Sequence, residues 1–565
     1  MEKLTTIVAT IGPATESEEQ IEQLINAGMD VARFNTKHNE PSWHQEKIEL
    51  VKKVATKLNK PVATLLDLQG PEIRINLPDQ GSFAVKEDEQ IIFTSDVSNT
   101  QAKIVHIPDD VVDIMPEGSL LLLDDGLCEF EVVGKTDDSL TARALGDCEV
   151  KHRKTLNTPG YVIDMPSLIE RDLEQLDAAA QYGVDFVGLS FVRDKRDIEN
   201  LRQELKKRNI EAQIVAKIEN QSALDHLDEI ITASDAVMVA RGDLAVEVPF
   251  EQLTFWQKLI IAKCRMAAKP VITATQMLRS MVDHPRPTRA EVSDVANAIY
   301  DSTSAVMLSE ETTIGKYPVK AVENQAKIAL FNEKYVQTHL EDWLDQDNSS
   351  SITHSAMYMV NHNQQIDSLV CLTETGTTAG LLSRFRPKIP IYALTSNDKT
   401  YRKLALNFGV LPHIMEFPAE GLQEPEAIAQ ALADKQILAP GKTALIIYGS
   451  IWKTPGLTNS ISIVKIPPAN QAWQASHKSL TIVVINKAQP KGKMAKKSKG
   501  LLSFVLGAAA GAAAVFFSKE ENRKKVATGA KKAATKAKSS ARKAKTKVKS
   551  AAKKATKRAK KSKKS

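Results

Sequence analysis

Eight short apolar runs, most of them followed by a stretch of helical periodicity, constrain this chain more than any other feature. They lie at residues 7–10, 29–33, 62–67, 185–190, 213–219, 236–241, 270–275 and 304–309. Continuous β-branched runs bounded by helical segments read as parallel strands buried on both faces. Eight such βα units predict a closed barrel with its functional groups where the strands end. An open doubly wound sheet is the alternative, and it too would place a site at strand ends. Arg33, Asp67, Glu219, Asp243, Thr275 and Ser309 stand at or just past those ends.

The series is interrupted once, over residues 75–160, where apolar and polar residues alternate between Gly, Asp and Pro turns. That pattern predicts a small all-β domain inserted after the third strand, a lid able to close over the barrel mouth and exclude water. Beyond the barrel, residues 350–470 carry a second α/β pattern, with strand candidates at 368–372, 389–394, 443–448 and 461–466. The expected fold class is therefore α/β: a (β/α)8 TIM barrel, an inserted small β-barrel lid and a C-terminal α/β domain. The division reads 1–74 and 161–340 for the barrel, 75–160 for the lid and 350–470 for the C-terminal domain. A linker (471–500), an apolar helix (501–517) and a disordered basic tail (518–565) follow.

The net charge of +6 hides two different objects. Residues 491–565 hold 26 of the 75 lysines and arginines but 2 of the 69 acidic residues, so this end carries +24 and the rest −18. The four cysteines are scattered and form no CxxC pair, which argues against a disulfide framework and a cysteine zinc site and fits a cytoplasmic protein. The sequence enters its first strand at once, with no room for a signal peptide.

Two acidic strand ends carry chemistry. Period-two alternation puts Lys217 and Glu219 on one side of a strand, and Arg241-Gly242-Asp243 ends the next. Carboxylates on neighbouring strands, Glu219 and Asp243, can hold Mg²⁺ (or Mn²⁺) while leaving positions for substrate and water. Lys217 beside them can stabilise a phosphoryl group in flight, since phosphoryl transfer depends on positioning and electrostatics. A salt-bridge ring at the barrel rim is the plain structural alternative.

These residues belong to a longer ordered set: Ala9-Thr10-Ile11-Gly12-Pro13-Ala14, Gly70-Pro71-Glu72-Ile73-Arg74, Ile218-Glu219-Asn220, residues 238–244, Ala274-Thr275-Gln276-Met277-Leu278, and residues 285–298. From about residue 4 to 467 the chain resembles the pyruvate kinases, in their bacterial form. The resemblance implies phosphoryl transfer from phosphoenolpyruvate to ADP, a divalent metal and a homotetramer. It also implies roles. Lys217 would steady the transferring group, and Glu219 and Asp243 would bind the metal. Gly242 and Thr275 would hold the substrate carboxylate, with Thr275 near the proton's route. Arg33, Asn35, His38 and Arg74 would contact phosphates and nucleotide, and Lys154 would reach ADP from the lid. Ser309 and Glu311 would support the proton path. Thr373, Thr375, Gly376, Thr377 and Thr378 would bind the phosphate of a sugar-phosphate effector, with the loop 450–454 completing that site; a simple hydroxyl cap of a helix is the other reading.

The sequence departs from the family in a cluster. Asn35-Thr36-Lys37-His38 stands where Asn-Phe-Ser-His is usual, and Asp67-Leu68-Gln69 where Asp-Thr-Lys is usual. Asn35 and Asp67 keep half of a monovalent-cation (K⁺) site, while Lys37 and Leu68 replace its hydroxyl ligands. Either the Lys37 ammonium takes the place of potassium beside Asp67, or the site is degraded in a weak paralogue acting as a scaffold through its tail. Glu310 replaces a glycine. A different barrel enzyme acting on a phosphorylated enol, such as an aldolase, is disfavoured by residues 285–291 and by the position of the lid.

The apolar run 501–517 would span about 26 Å as a helix, short of the roughly 30 Å of bilayer hydrocarbon. With lysines on both sides it is expected to lie on or dip into a membrane, or to pack against protein, rather than cross. The Lys/Ala tail is expected to bind polyanions nonspecifically: nucleic acid, anionic membrane or polyphosphate.

Overall fold

In the computed structural model, residues 3–340, 347–416, 424–449, 458–469 and 480–483 are described. Eight parallel strands close into a barrel in which each pairs with its neighbours in sequence. They are Thr6–Thr10, Val31–Asn35, Ala63–Asp67, Phe186–Leu189, Gln213–Ile218, Ala236–Ala240, Val271–Ala274 and Ala305–Leu308. Closure excludes the open-sheet alternative.

Two apolar layers explain the continuous runs. Inward-facing Val8, Val31, Leu65, Val215, Met238 and Ile272 fill the barrel's interior. Outward-facing Ile7, Leu66, Ile214 and Val237 pack beneath the surrounding helices. Such two-sided burial leaves no alternation for a solvent face. The motif at 285–291 has a local cause: Thr288 and Glu291 form a reciprocal capping box at the start of the helix Arg289–Tyr300.

The second strand is displaced from the expected run at 29–33. Gly28, at φ +121°, ends the preceding helix. The Asp30 carboxylate then accepts a hydrogen bond from the Ile7 N–H at 2.8 Å. The strand proper therefore starts at Val31 and carries Arg33 and Asn35 to the barrel mouth.

Between the third and fourth barrel strands the chain forms a six-stranded sheet and a two-stranded ribbon, with a core of its own around Phe93, Phe130, Leu121 and Leu140. The C-terminal domain is a six-stranded sheet ordered Val410–Ile414, Ile391–Thr395, Ser368–Leu372, Thr443–Gly449, Thr458–Lys465, Leu480–Val483. Two of these strands go beyond the sequence reading. Val410–Ile414 lies at an edge, where Pro412 removes no needed donor. Leu480–Val483 pairs with Ser460–Ile463 inside the stretch read as linker. The apolar run 501–517, the basic tail and the loop 450–454 lie outside the described residues. Among the described residues no helix is long and apolar enough to cross a membrane.

Candidate active site

The ends of the fifth and sixth strands meet the lid at one cleft of about 340 Å³, whose wall includes Glu72, Asp125, Asn157, Glu219, Asp243 and Glu247. Lys217, near the end of the fifth strand, lies behind Glu219 of that wall. Its ammonium is 2.8 Å from Glu219 Oε1, 3.5 Å from Asp67 Oδ1, and donates to Ser190 Oγ at 2.6 Å. Burial works against this charge, but Asp67, Glu219 and Asp243 outweigh it and raise the lysine's proton affinity above the ordinary value. Lys217 is thus a fixed cation over the working pH range.

Glu219 and Asp243 behave differently. Burial raises the pKa of both carboxyls, more than Lys217 can offset, and Asp243 raises Glu219 further. Glu219 also accepts the Phe191 N–H at 2.6 Å. Two buried carboxylates short of positive charge fit a hard divalent cation, which would supply that charge and coordinate oxygens. Among the described residues no three His, Cys, Asp or Glu side chains form a closed metal cluster. Two protein carboxylates leave the remaining positions to substrate and water.

Beside them the chain after the seventh strand is strained. Thr275 and Gln276 adopt φ of +71° and +53°, a conformation that costs side-chain-bearing residues about 1–3 kcal/mol each. Arg241 holds it, donating to the carbonyls of Ala274 at 3.1 Å and Thr275 at 2.6 Å and pairing with Asp294 at 2.8 Å. The Gly242 N–H donates to Thr275 Oγ1 at 2.8 Å. At the eighth strand Glu311 is buried and accepts the N–H groups of Leu278 at 3.0 Å and Ser309 at 2.8 Å. Glu310, the glycine replacement, points away from them and pairs with Arg279 at 2.5 Å.

The other corner is built from the second and third strands. Arg33 Nε pairs with Asp67 Oδ2 at 2.7 Å and its Nη1 donates to Thr10 Oγ1 at 3.0 Å. Burial would raise Asp67, yet Lys217 and Arg33 hold it below the ordinary carboxylate value. Asp67 Oδ1 makes no hydrogen bond and faces the Lys217 ammonium at 3.5 Å. Asn35, opposite Asp67 in the ladder, turns its Oδ1 to the Lys37 N–H at 3.2 Å.

Lys37 does not stand where the sequence reading put it. Its ammonium pairs with Glu72 Oε1 at 2.8 Å, while Asp67 is held by Arg33 and Lys217. Arg74 Nη2 takes the second Glu72 oxygen at 2.7 Å. Leu68 is buried in the outer barrel core, and only its carbonyl faces the site, accepting from Ser190 Oγ at 2.7 Å. His38 lies exposed in the turn after the second strand; partial desolvation of its ring and then the charges of Lys37 and Arg33 lower its proton affinity. Lys154 stays within the lid, pairing with Asp124 at 2.8 Å.

Three residues were absent from the sequence reading. Ser190 ends an expected strand, so its position was a usable signal. Glu72 sits inside a quoted motif, but a partner 35 residues away gives no local cue. Glu247 lies one helical turn after Asp243 and accepts from Asn157 of the lid's exit strand at 3.2 Å. Burial, opposed by that hydrogen bond, pushes its pKa up to about 7.

The threonine loop of the C-terminal domain lies apart from this cleft. Gly376, at φ +87°, leads into the short helix Thr377–Ser383. Thr375 and Thr377 share a hydroxyl contact at 2.9 Å, Thr378 reaches Thr458 at 2.8 Å, and Thr373 Oγ1 accepts the Gly376 N–H at 2.9 Å. Thr375, Gly376 and Thr377 border a cavity of about 270 Å³ that also meets Lys403 and Asn407.

Comparison with known proteins matches residues 2–322 to the family model for the pyruvate kinase barrel domain. Residues 350–464 match the model for the pyruvate kinase alpha/beta domain. The chain is 38% identical to a pyruvate kinase of Bacillus licheniformis, over 88% of this chain and 86% of that one. It is 41% identical to one from Geobacillus stearothermophilus, over 73% of each. Among solved structures it is similar to a pyruvate kinase from Cryptosporidium parvum, with a TM-score of 0.76 and 30% identity, over 82% of this chain and 96% of that one.

Proposed function

The chain belongs to the pyruvate kinase family and is an enzyme that transfers a phosphoryl group from phosphoenolpyruvate to ADP; from that premise we propose how its own residues divide the work. A β-phosphate oxygen of ADP attacks phosphorus, the bond from phosphorus to the enol oxygen breaks, and the enolate left behind takes a proton at carbon to give pyruvate. Lys217 is the fixed cation beside the group in transit. The observation that carries this assignment is its ammonium, 2.8 Å from Glu219 and 3.5 Å from Asp67 at the mouth of the barrel. Charge fixed in a water-poor site stabilises the transition state without reorganising.

Glu219 and Asp243 would hold Mg²⁺ or Mn²⁺, which would supply positive charge against the phosphate oxygens. The Gly242 N–H and Thr275 hydroxyl bind the substrate carboxylate, and Thr275 lies by the proton's route. Arg33 and Arg74 face phosphate oxygens, Asn35 and His38 border the nucleotide, and Lys154 reaches ADP on exchanging its Asp124 partner when the lid closes. Ser309 and Glu311 support the proton's path.

In the monovalent corner, Lys37 supplies through Glu72 the positive charge that potassium brings elsewhere, so turnover does not need potassium. Its charge reaches the metal side as well, where after burial, Lys217 and Asp125 it enters the balance at Asp243, with Glu72 opposing it.

Further readings are coarser. A homotetramer is supported by exposed aromatics on the barrel's outer helices, Phe250, Phe255, Phe331 and Tyr335, each more than half exposed. The threonine loop is read as the seat of a sugar-phosphate effector, and the tail as a ligand for polyanions. The location implied is cytoplasmic. The test of the core assignment is pyruvate release by the full chain with phosphoenolpyruvate, ADP and Mg²⁺. Turnover abolished by a chelator and restored by Mg²⁺ or Mn²⁺ supports it. A folded protein without turnover under any metal contradicts it and leaves the scaffold reading.

A further inference from the structure

A second large cavity, of about 750 Å³, opens between the barrel and the C-terminal domain, at the N-terminal end of the third barrel strand. Its lining contains four basic side chains, Lys52, Lys60, Arg402 and Lys435, and one carboxylate, Asp398. Asp398 is already taken by Arg402 Nη1, and Arg402 Nε pairs with Asp185 at 2.9 Å.

Among the described residues the three lysines meet no carboxylate. The Lys52 ammonium rests on the Tyr182 and Gly183 carbonyls at 2.7 Å, the exposed C-terminal end of a helix, and keeps one N–H free. Lys60 and Lys435 have only neutral oxygens, at 3.4 Å and 3.5 Å. Lys52 is half-buried while Lys60 and Lys435 stand exposed at the rim, and like charges lining one cleft repel unless an anion joins them. Burial already lowers the proton affinity of Lys52. The remaining wall includes Tyr401 and the His413 ring, which is stacked on Tyr392. A volume of this size suits a small metabolite rather than a bare ion.

We propose that this cleft binds a phosphate monoester, its dianion held by Lys52, Lys60 and Lys435 and its organic group laid against Tyr401 and His413. The site draws cations from both domains, so its ligand ties them together. It lies far from the catalytic cleft: the same third strand that begins beside Lys60 carries Asp67 at its other end, and the helix Pro41–Lys57 that carries Lys52 follows Lys37 and His38. It is also separate from the threonine loop's cavity, with which it shares no lining residue; the two take different residues of the helix Asp398–Lys403.

The test uses the full chain and three probes: phenyl phosphate, inorganic phosphate and phenol, followed by titration calorimetry. The variant is K60E/K435E, two exposed positions, with the basic tail intact so that nonspecific attraction cancels in the comparison. Expected are saturable binding of phenyl phosphate, weaker binding of inorganic phosphate, none of phenol, and at least about a tenfold loss of phenyl phosphate affinity in K60E/K435E. Its pyruvate release without added ligand stays at the wild-type level, so this result is independent of the catalytic assignments. The proposal is overturned if the wild type shows no saturable binding, if phenol binds as well as phenyl phosphate, or if K60E/K435E keeps its affinity. A loss seen instead only in Thr377→Ala would move the ligand to the threonine loop and equally overturn it.

Discussion

The two corners of the catalytic cleft solve the same electrostatic problem in opposite ways. On the fifth and sixth strands, Glu219 and Asp243 are buried with too little positive charge, and their proton affinities rise. On the second and third strands every carboxylate is already matched: Asp67 by Arg33 and Lys217, Glu72 by Lys37 and Arg74. A corner that keeps its charge deficit is built to receive an ion. A corner that has closed the deficit with its own side chains has less use for one. The departures at Lys37 and Leu68 fall in the second corner only, while the carboxylates and Lys217 of the first are retained.

The largest effect that sharpens this contrast is expected from Lys217, which serves both corners. Lys217→Met removes the one cation shared by Asp67 and Glu219, and kcat should fall by about 10³-fold or more with the fold intact by circular dichroism. A fall below tenfold would mean that the cation is structural.

Next is Lys37→Ser, which restores a hydroxyl and leaves Glu72 with Arg74 alone. Its kcat in sodium or tetramethylammonium buffer should drop by about 10–100-fold and recover in potassium. Equal rates in all three buffers would break the comparison between the corners.

The smallest effect is on stability and concerns Glu247, whose pKa stands at about 7 against an ordinary 4.5. A raised carboxyl pKa means that the folded state binds the extra proton, so stability is lost as pH rises from about 4.5 to 7. Glu247→Gln keeps the acceptor for Asn157 and cannot ionise. Denaturant melts should therefore match the wild type near pH 4.5 and favour the variant by about 1–3 kcal/mol at pH 8. Parallel curves at both pH values would show that Glu247 ionises freely.

The sequence made the barrel legible because two-sided burial writes each strand as an unbroken apolar run. It failed where another force set the pattern. Val410–Ile414 contains Pro412 and His413, which the run criterion rejects and an edge position tolerates. In the site, Lys217, Glu219 and Asp243 were legible because strand alternation and strand ends fix them. The Lys37–Glu72 pair was not, because no local rule links positions 35 residues apart. Glu310 shows the same limit: the sequence marks it only as a replaced glycine, and its partner Arg279 appears only in three dimensions.

The central claim is that the monovalent corner of this pyruvate kinase carries its own cation. The most direct measurement is kcat of the unmodified full chain, with saturating phosphoenolpyruvate, ADP and Mg²⁺, in tetramethylammonium and then in potassium buffer at equal ionic strength. The account predicts robust turnover in both, equal within about twofold, a difference of less than 1 kcal/mol in barrier height. Turnover that appears only when potassium is added would contradict it, and would assign the balancing charge of that corner to an ion.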